Sequence, residues 1–262
     1  MSGIRRYGKA ILKDGWRIVG SYFVWMRKYA KHPEKYPFEK RYKRVQDLAS
    51  RVVKDMDIEY IIEGEENIPS EGTYAIFGNH LSILDPLSLA AILKKPISFI
   101  GKKEIIKMPF AGKIMQDVDG LFLDREDLKQ SLKIMMKVQK DLETGTKSYV
   151  VFPEGTRNKD PMKKLGEFHH GTFRPAMKAK VPLVPVVFYG THQGMKANAI
   201  FKKYPVFIKF LKPIMPEEYE GKTTNEMAKH VQNLIQSELS FNLRKRYHEY
   251  MSRYKNYSFN HH

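Results

Sequence analysis

From residue 58 onward, short apolar segments alternate with longer segments of helical periodicity. Seven of the apolar segments are rich in Ile, Val, Phe and Tyr and are bounded by Gly, Pro or charged residues, as β-strands are. They are residues 58–63, 73–78, 97–101, 120–124, 148–152, 183–188 and 206–211. Helices are predicted between them at 86–94, 127–143 and 172–180, and from about residue 224. Strands that alternate with helices predict an α/β fold, with a mostly parallel central sheet of about seven strands flanked by helices.

The N-terminal part of the chain carries a different pattern, in which apolar residues recur at roughly helical spacing with basic residues between them. The apolar set is Ile4, Tyr7, Ile11, Leu12, Ile18, Val19, Tyr22, Phe23 and Met26, and the basic set is Arg5, Arg6, Lys9, Lys13, Arg17, Arg27 and Lys28. Trp16 and Trp25 add amphipathic rings, which suit a bilayer headgroup region as well as a helix docked on its own core. Pro33 and Pro37 end this helix before a second basic helix at about 39–54.

We therefore divide the chain at residue 55. Residues 1–55 are predicted to form N-terminal amphipathic helices, a membrane-interface element, and residues 56–262 an α/β domain with a C-terminal helix. A helix that spans a bilayer needs about 20 apolar residues. The best N-terminal candidate, 18–26, is short and is flanked by Arg17 and Arg27. We expect the chain to lie on the cytoplasmic face of the cell membrane as a peripheral or monotopic protein.

Charge narrows the range of partners. Lys and Arg total 46 against 29 Asp and Glu, so the formal net charge is +17. Such a surplus suits nucleic acid, an anionic membrane surface, or acidic carrier proteins and phosphorylated substrates. A solvated basic surface would carry the same charge, so charge alone leaves the function open. The chain has no cysteine, which excludes disulfides, thiol nucleophiles and Cys-ligated zinc.

A histidine and an aspartate follow the second predicted strand, in the segment NHLSILDP, which enters a predicted helix. A turn of this length lets the Asp85 carboxylate bind one nitrogen of the His80 ring, which leaves the other nitrogen to accept a proton. Because no cysteine is present and no serine is evidently paired with His80, the simplest chemistry is a dyad that activates a hydroxyl of the substrate. Asp before Pro also favours a plain helix N-cap, and His80 taken alone would be interpreted as a core histidine.

The fifth predicted strand ends in the segment FPEGTR. Gly155 allows a close approach of the backbone, Thr156 offers a hydroxyl, and Arg157 offers a planar guanidinium. This set suits a phosphate dianion, although an ordinary turn with an exposed ion pair has the same composition. Cations also follow two other strands, at Lys102 and Arg125. Since ligands of open α/β sheets bind outside the carboxyl ends of the strands, these residues are the candidates for a binding site.

Four segments, in this order, resemble the glycerolipid acyltransferase family, and within it the 1-acyl-glycerol-3-phosphate acyltransferases. The first, NHLSILD at 79–85, looks like the family's His-x4-Asp motif. The others are GLFLDR at 120–125, FPEGTR at 152–157 and VPLVPV at 181–186. The resemblance spans about residues 73–188 and leaves both ends of the chain uncovered.

The resemblance implies a role for each candidate residue. His80 is expected to deprotonate the acceptor hydroxyl, while Asp85 orients the imidazole and stabilises its charge. Residues expected to bind the glycerol phosphate are Glu154, Gly155, Thr156 and Arg157, with Arg125 and Lys102 as further candidates. No metal or other cofactor is expected.

The implied reaction moves a fatty acyl group from an acyl thioester, acyl-ACP or acyl-CoA, to the sn-2 hydroxyl of 1-acyl-glycerol-3-phosphate (lysophosphatidate), giving phosphatidic acid. The alternative within this class is glycerol-3-phosphate or another lysolipid as acceptor. A basic nucleic-acid-binding protein would explain the charge, and a membrane scaffold without catalysis would explain the N-terminal helices. The spacing of His80 and Asp85 argues against both alternatives. The acidic Glu154, which lies inside the best-matched motif, argues further against nucleic-acid binding. The expected partners are the donor, lysophosphatidate and an anionic membrane surface, with no nucleic acid.

Overall fold

The apolar segments form the strands of one sheet in the computed structural model, which describes residues 15–158, 164–194 and 204–252. The strands are β1 Ile58–Glu63, β2 Ala75–Gly78, β3 Ile97–Lys102, β4 Leu121–Leu123, β5 Ser148–Val151, β6 Leu183–Tyr189 and β7 Tyr204–Phe210. Each strand begins within two residues of its predicted start. Their order across the sheet is β1-β7-β6-β2-β5-β3-β4. This arrangement confirms the predicted α/β fold class.

Strand direction decides where the ends of the strands meet. All neighbouring strands are parallel except β6 and β7, which are antiparallel. The strands β2 to β6 therefore run in one direction, and their carboxyl ends meet at one side of the sheet, which we call the carboxyl edge. The opposite side is the amino edge. Strand β6 is buried along its whole length, so the VPLVPV segment contributes to the core.

The helices lie in the segments between and around these strands. Their bounds are Phe38–Asp55, Leu84–Ile92, Pro109–Asp117, Leu128–Glu143, Arg174–Lys178, Thr191–Gly194, Pro216–Tyr219, Thr224–Glu238 and Arg244–Ser252. Residues 15–31 form a further helix, which contains a π-helical turn at Tyr22–Met26. A 3-10 turn at Pro33–Lys35 separates that helix from Phe38–Asp55, as the two prolines predict. The helix Pro109–Asp117 was not predicted, because Pro109 and Gly112 are residues typical of loops. Proline nevertheless suits the first position of a helix, which is where Pro109 lies.

Helices cover both faces of the sheet. The connection from β2 to β3 through Leu84–Ile92 and the connection from β4 back to β5 through Leu128–Glu143 cross the sheet in opposite directions. Because crossovers between parallel strands are right-handed, these two helices lie on opposite faces. The first face also carries Phe38–Asp55 and Pro109–Asp117, which pack with each other. The second face also carries Arg174–Lys178, which packs against Leu128–Glu143.

The N-terminal helix, residues 15–31, packs on the first face through one side only. Met26 is fully buried, and Tyr22 meets Phe110 edge to face with ring centroids 5.2 Å apart. The predicted apolar positions before residue 15 lie outside the described residues. Within the described residues, no helix has the length and apolar character that crossing a bilayer requires.

Candidate active site

The segments that follow four strands come together at the carboxyl edge. His80 follows β2, and the FPEGTR segment follows the neighbouring strand β5. Lys102 ends β3 on the other side of β5, and Arg125 follows the edge strand β4. The candidates that are far apart in sequence therefore lie on adjacent loops, because parallel strands end on the same side of a sheet.

His80 and Asp85 form a hydrogen-bonded pair. The ring atom Nδ1 of His80 lies 2.8 Å from Oδ2 of the fully buried Asp85. The same oxygen accepts the backbone N–H groups of Leu81 at 2.6 Å and Ser82 at 2.8 Å. An ionised carboxylate only accepts hydrogen bonds, so Nδ1 carries the proton and Nε2 has a free lone pair. The pair thus leaves Nε2 of His80 able to accept a proton.

Asp85 does not act as the helix N-cap that its position before Pro86 suggests. The helix begins at Leu84, with Ile83 at the N-cap position, so Asp85 lies within the first turn. Its carboxylate turns back to the amides of the preceding loop, as the bonds to Leu81 and Ser82 show. The N-cap interpretation is therefore wrong, and the carboxylate serves the loop that carries His80.

Phe152 supports the imidazole from the neighbouring strand. The rings of His80 and Phe152 are stacked, with centroids 4.3 Å apart and an interplanar angle of 25°. The His80 side chain keeps 19% of its surface exposed, so the ring remains open to a ligand. The aromatic face and the Asp85 carboxylate together restrict the ring to one orientation.

Glu154 joins the two loops of the site. Its Oε1 accepts the backbone N–H of His80 and its Oε2 accepts that of Gly166, each at 2.9 Å. Burial raises the pKa of Glu154 above its usual value, and the two backbone hydrogen bonds offset only part of that increase. In return, the backbone N–H of Asn158 donates to the carbonyl oxygen of His80 at 2.7 Å. Both oxygens of Glu154 are thus directed to backbone amides, which ties its carboxylate to the loop of His80, and its expected contact with substrate stays a prediction.

Gly155 lies directly against the Arg125 guanidinium. Gly155 has φ of +65°, a left-handed conformation that favours glycine, and its carbonyl oxygen accepts a hydrogen bond from the Arg125 guanidinium. A Cβ at Gly155 would overlap the same guanidinium. The backbone conformation thus favours glycine here, whereas the exposed end of the Arg125 side chain could shift to make room for a Cβ.

Four predicted binding residues present exposed side chains at this edge, namely Thr156, Arg157, Lys102 and Arg125. Within the described part of the chain, the Arg157 guanidinium has no ion-pair partner. The neighbouring Lys103 differs, because its ammonium lies 2.9 Å from the Asp124 carboxylate. In the part of the chain that the structure describes, no three His, Cys, Asp or Glu side chains group together as metal ligands do.

Two residues of the site were not assigned roles from the sequence. The buried Asn79 side chain donates to the carbonyl oxygen of Phe188 at 3.0 Å and accepts the Phe188 N–H at 2.8 Å. These bonds extend the β2–β6 pairing past Gly78 and fix the start of the His80 loop. The stacking of Phe152 on His80 is the other missed feature. Neither has a sequence signal, since each depends on which strand lies next to β2.

Comparison with known proteins identifies the family of this chain. The sequence model of the Acyltransferase family matches residues 59–189, which is half of the 262-residue chain. The chain belongs to the acyltransferase family. Every candidate residue of this acyltransferase, from His80 to Arg157, lies inside the matched span.

Two curated relatives resemble this acyltransferase over most of their length. It is 31% identical over 218 residues to a probable 1-acyl-sn-glycerol-3-phosphate acyltransferase of Mycoplasma pneumoniae, covering 78% of this chain and 80% of the relative. It is 29% identical over 222 residues to a protein of the same description from Mycoplasma genitalium, covering 80% of this chain and 81% of the relative.

A crystal structure shows the shared fold. The 1-acyl-sn-glycerophosphate (LPA) acyltransferase of Thermotoga maritima superimposes with a TM-score of 0.66 at 22% identity, covering 92% of this chain and 97% of that one. The mostly parallel sheet with helices on both faces is therefore the fold of a known acyltransferase structure.

Proposed function

We propose that this acyltransferase moves a fatty acyl group from an acyl thioester, acyl-ACP or acyl-CoA, to the sn-2 hydroxyl of 1-acyl-glycerol-3-phosphate, giving phosphatidic acid. The observation that carries this proposal is the Asp85-bound His80, with its second nitrogen free, next to the exposed Arg157 at the same edge. The descriptions of the two Mycoplasma relatives support the choice of acceptor.

The proposed chemistry needs one base and no covalent enzyme intermediate. Nε2 of His80 takes the proton of the acceptor hydroxyl as its oxygen attacks the thioester carbonyl carbon. A tetrahedral oxyanion forms and collapses, which breaks the carbon–sulfur bond. The leaving thiolate takes the proton from the imidazolium, so His80 returns to its starting state. The negative charge of Asp85 stabilises the imidazolium in between.

Arg157 is the proposed anchor for the acceptor phosphate. It is adjacent in sequence to Asn158, whose N–H is bonded to the His80 carbonyl, so the guanidinium lies on a loop fixed to the base. A bidentate guanidinium–phosphate contact would hold the glycerol backbone in one orientation. Thr156, Arg125 and Lys102 are further proposed contacts at the rim, while Gly155 gives the loop its shape.

The proposal is tested by incubating the purified chain with 1-acyl-glycerol-3-phosphate and either palmitoyl acyl carrier protein or palmitoyl-CoA. Mass spectrometry should show phosphatidic acid whose new chain is at sn-2. A His80→Ala protein prepared in the same way controls for acyltransferases of the expression host. Absence of product with both donors would contradict the proposed function.

Replacing Arg157 by lysine should raise KM for lysophosphatidate by about tenfold, although the charge is kept. A lysine ammonium cannot make the two parallel hydrogen bonds of the guanidinium, and charge-assisted bonds contribute about 1.5–3 kcal/mol each. Steady-state kinetics at saturating donor measure the change.

Arg51→Lys is the matched control, because Arg51 is also exposed but lies on the helix Phe38–Asp55. Its KM should equal that of the unaltered chain. If Arg157→Lys and Arg157→Ala both bind acceptor normally, the phosphate is held elsewhere, with Lys102 and Arg125 as the next candidates.

We further propose that the N-terminal helix holds the chain at an anionic membrane, at the cytoplasmic face of the cell. Trp16 and Phe23 are 69% and 63% exposed, although tryptophan and phenylalanine are normally largely buried. Arg17 and Arg27 lie beside these rings, within 5.1 Å of the Trp16 centroid and 5.9 Å of the Phe23 centroid. Aromatic residues next to arginines suit the headgroup region of anionic lipids.

Exchanging Trp16 and Phe23 together for alanine should weaken binding to anionic vesicles by about tenfold or more at any salt concentration, since full burial of each such side chain contributes about 1.5–3 kcal/mol. Trp25 is left intact in this test because it packs against the core. Vesicle sedimentation at low and high salt measures the loss. Leu128→Ala, which removes an exposed apolar side chain from the opposite face, should bind as the unaltered chain does. Unchanged binding of the double variant would show that the helix is not the anchor.

A further inference from the structure

The helix Leu128–Glu143 carries a row of apolar side chains that nothing in the described chain covers. Leu128, Leu132 and Met136 are 74%, 50% and 70% exposed. Their spacing of four residues places them on one line along the helix, which we call the apolar row. The side of the helix that faces the sheet is occupied by other residues, among them the buried Val138 and Leu142. The apolar row is thus additional to what the core requires.

Lysines border the apolar row. Lys129, Lys133 and Lys137 each follow one of its members by one position and are exposed, and Lys140 continues the line beyond Met136. Lys137 lies 3.1 Å from the Asp141 carboxylate, whereas Lys129 and Lys133 have no ion-pair partner within the described residues. From Leu128 to Lys140 this surface is about 18 Å long at the usual helical rise of 1.5 Å per residue.

The surface begins next to the active site. Leu128 follows β4 at the carboxyl edge, three residues after Arg125, whose guanidinium binds the Gly155 carbonyl. From there the helix runs along the second face toward the amino edge. A partner docked on it would thus reach the loops that hold His80 and Arg157.

We propose that the apolar row and its lysines dock an acidic carrier protein that delivers the acyl thioester. This inference rests on the proposed function and names the partner of the same site. Carboxylates of the carrier would pair with Lys129 and Lys133, while apolar side chains of the carrier would cover Leu132 and Met136. A coenzyme A thioester is also anionic, but it is a small ligand, whereas three apolar side chains along one helix form a surface for a protein.

Two other occupants fit this surface less well. A second copy of the chain would bring two lysine-lined surfaces together, and like charges at an interface oppose association. A lipid surface would have to contact the second face, while the exposed aromatic residues of the N-terminal helix lie on the first face. The opposite placement leaves the acyl donor and the membrane on separate faces of the sheet.

The test compares two donors for one chain. Lys129→Glu combined with Lys133→Glu should raise KM for palmitoyl acyl carrier protein by about tenfold, since two attractions become repulsions. KM for palmitoyl-CoA should stay within about twofold, since these lysines lie outside the active site. The matched control is Lys94→Glu with Lys95→Glu, which makes the same change in net charge at two exposed positions near the amino edge. The control should leave both KM values unchanged.

A second variant tests the apolar part. Leu132→Ser combined with Met136→Ser should raise KM for the palmitoyl carrier protein at both low and high salt, because apolar contacts are not screened. The effect of the lysine variant should instead shrink as salt rises. The two responses together identify a surface with both kinds of contact.

Several results would overturn the docking proposal. The proposal fails if the unaltered chain works with palmitoyl-CoA but not with the carrier, or if neither variant changes KM for the carrier. It fails as well if the variants lose binding to anionic vesicles while KM for the carrier stays unchanged, since the surface would then contact lipid. If the unaltered chain forms no phosphatidic acid with either donor, the proposed function itself fails.

Discussion

Exchanging His80 for alanine should lower the rate of phosphatidic acid formation by ~10²–10⁴-fold, the range expected when a general base is removed. The physical reason is that no other group takes the hydroxyl proton at this point, since Asp85 is buried behind the ring and directed to backbone amides. Turnover at saturating lysophosphatidate, with whichever of the two donors the unaltered chain uses, measures the loss.

The fold should survive this exchange. The His80 ring is partly exposed, and the backbone bonds of His80 to Glu154 and Asn158 do not involve the ring. Circular dichroism and thermal melting should therefore be close to those of the unaltered chain. His230→Ala, at an exposed position on the helix Thr224–Glu238, is the matched control and should keep full activity. Near-normal turnover by a folded His80→Ala protein would refute the proposed mechanism.

Asp85→Asn should lower kcat by about 10²-fold or more while KM changes little, because it removes the charge that stabilises the imidazolium. The amide oxygen of asparagine still accepts the N–H groups of Leu81 and Ser82, so the loop keeps its shape. Asp85→Ala removes that acceptor, and each buried amide left without a partner costs about 1–3 kcal/mol. The alanine variant should thus lose both activity and thermal stability.

The comparison of the two variants separates charge from structure. Turnover and melting temperature measured on both proteins are sufficient. If Asp85→Asn keeps full activity, the carboxylate only shapes the loop. If both variants have the same melting temperature as the unaltered chain, the hydrogen bonds to Leu81 and Ser82 contribute little to stability.

The strands could be predicted because short apolar runs rich in Ile, Val, Phe and Tyr, bounded by turn residues, are typical of β-strands. Two long helices were predictable because capping residues mark where they begin. The Asp127 side chain caps Leu128–Glu143, and Thr223 with Glu226 forms a capping box at Thr224–Glu238. The order of the strands was not predictable, since periodicity says nothing about neighbours. The antiparallel β7 is an example, because its sequence looks like that of any buried strand.

The site was predictable at the level of residue types and not at the level of side-chain directions. The motifs placed His80, Asp85 and Arg157 after strands, which sufficed to expect them at one edge. Glu154 belongs to the same motif as Arg157, yet its carboxylate turns inward to two backbone amides. That direction depends on β2 lying beside β5, a fact that exists only in the folded chain. Asn79 and Phe152 were missed for the same reason.

The acceptor preference tests the central claim most directly. The measurement is kcat/KM of the purified chain for 1-acyl-glycerol-3-phosphate and for glycerol-3-phosphate, with each of the two donors. The proposed function predicts a clear preference for the lysolipid with at least one donor, and phosphatidic acid as the product. A higher kcat/KM for glycerol-3-phosphate, with a monoacylated product, would contradict it.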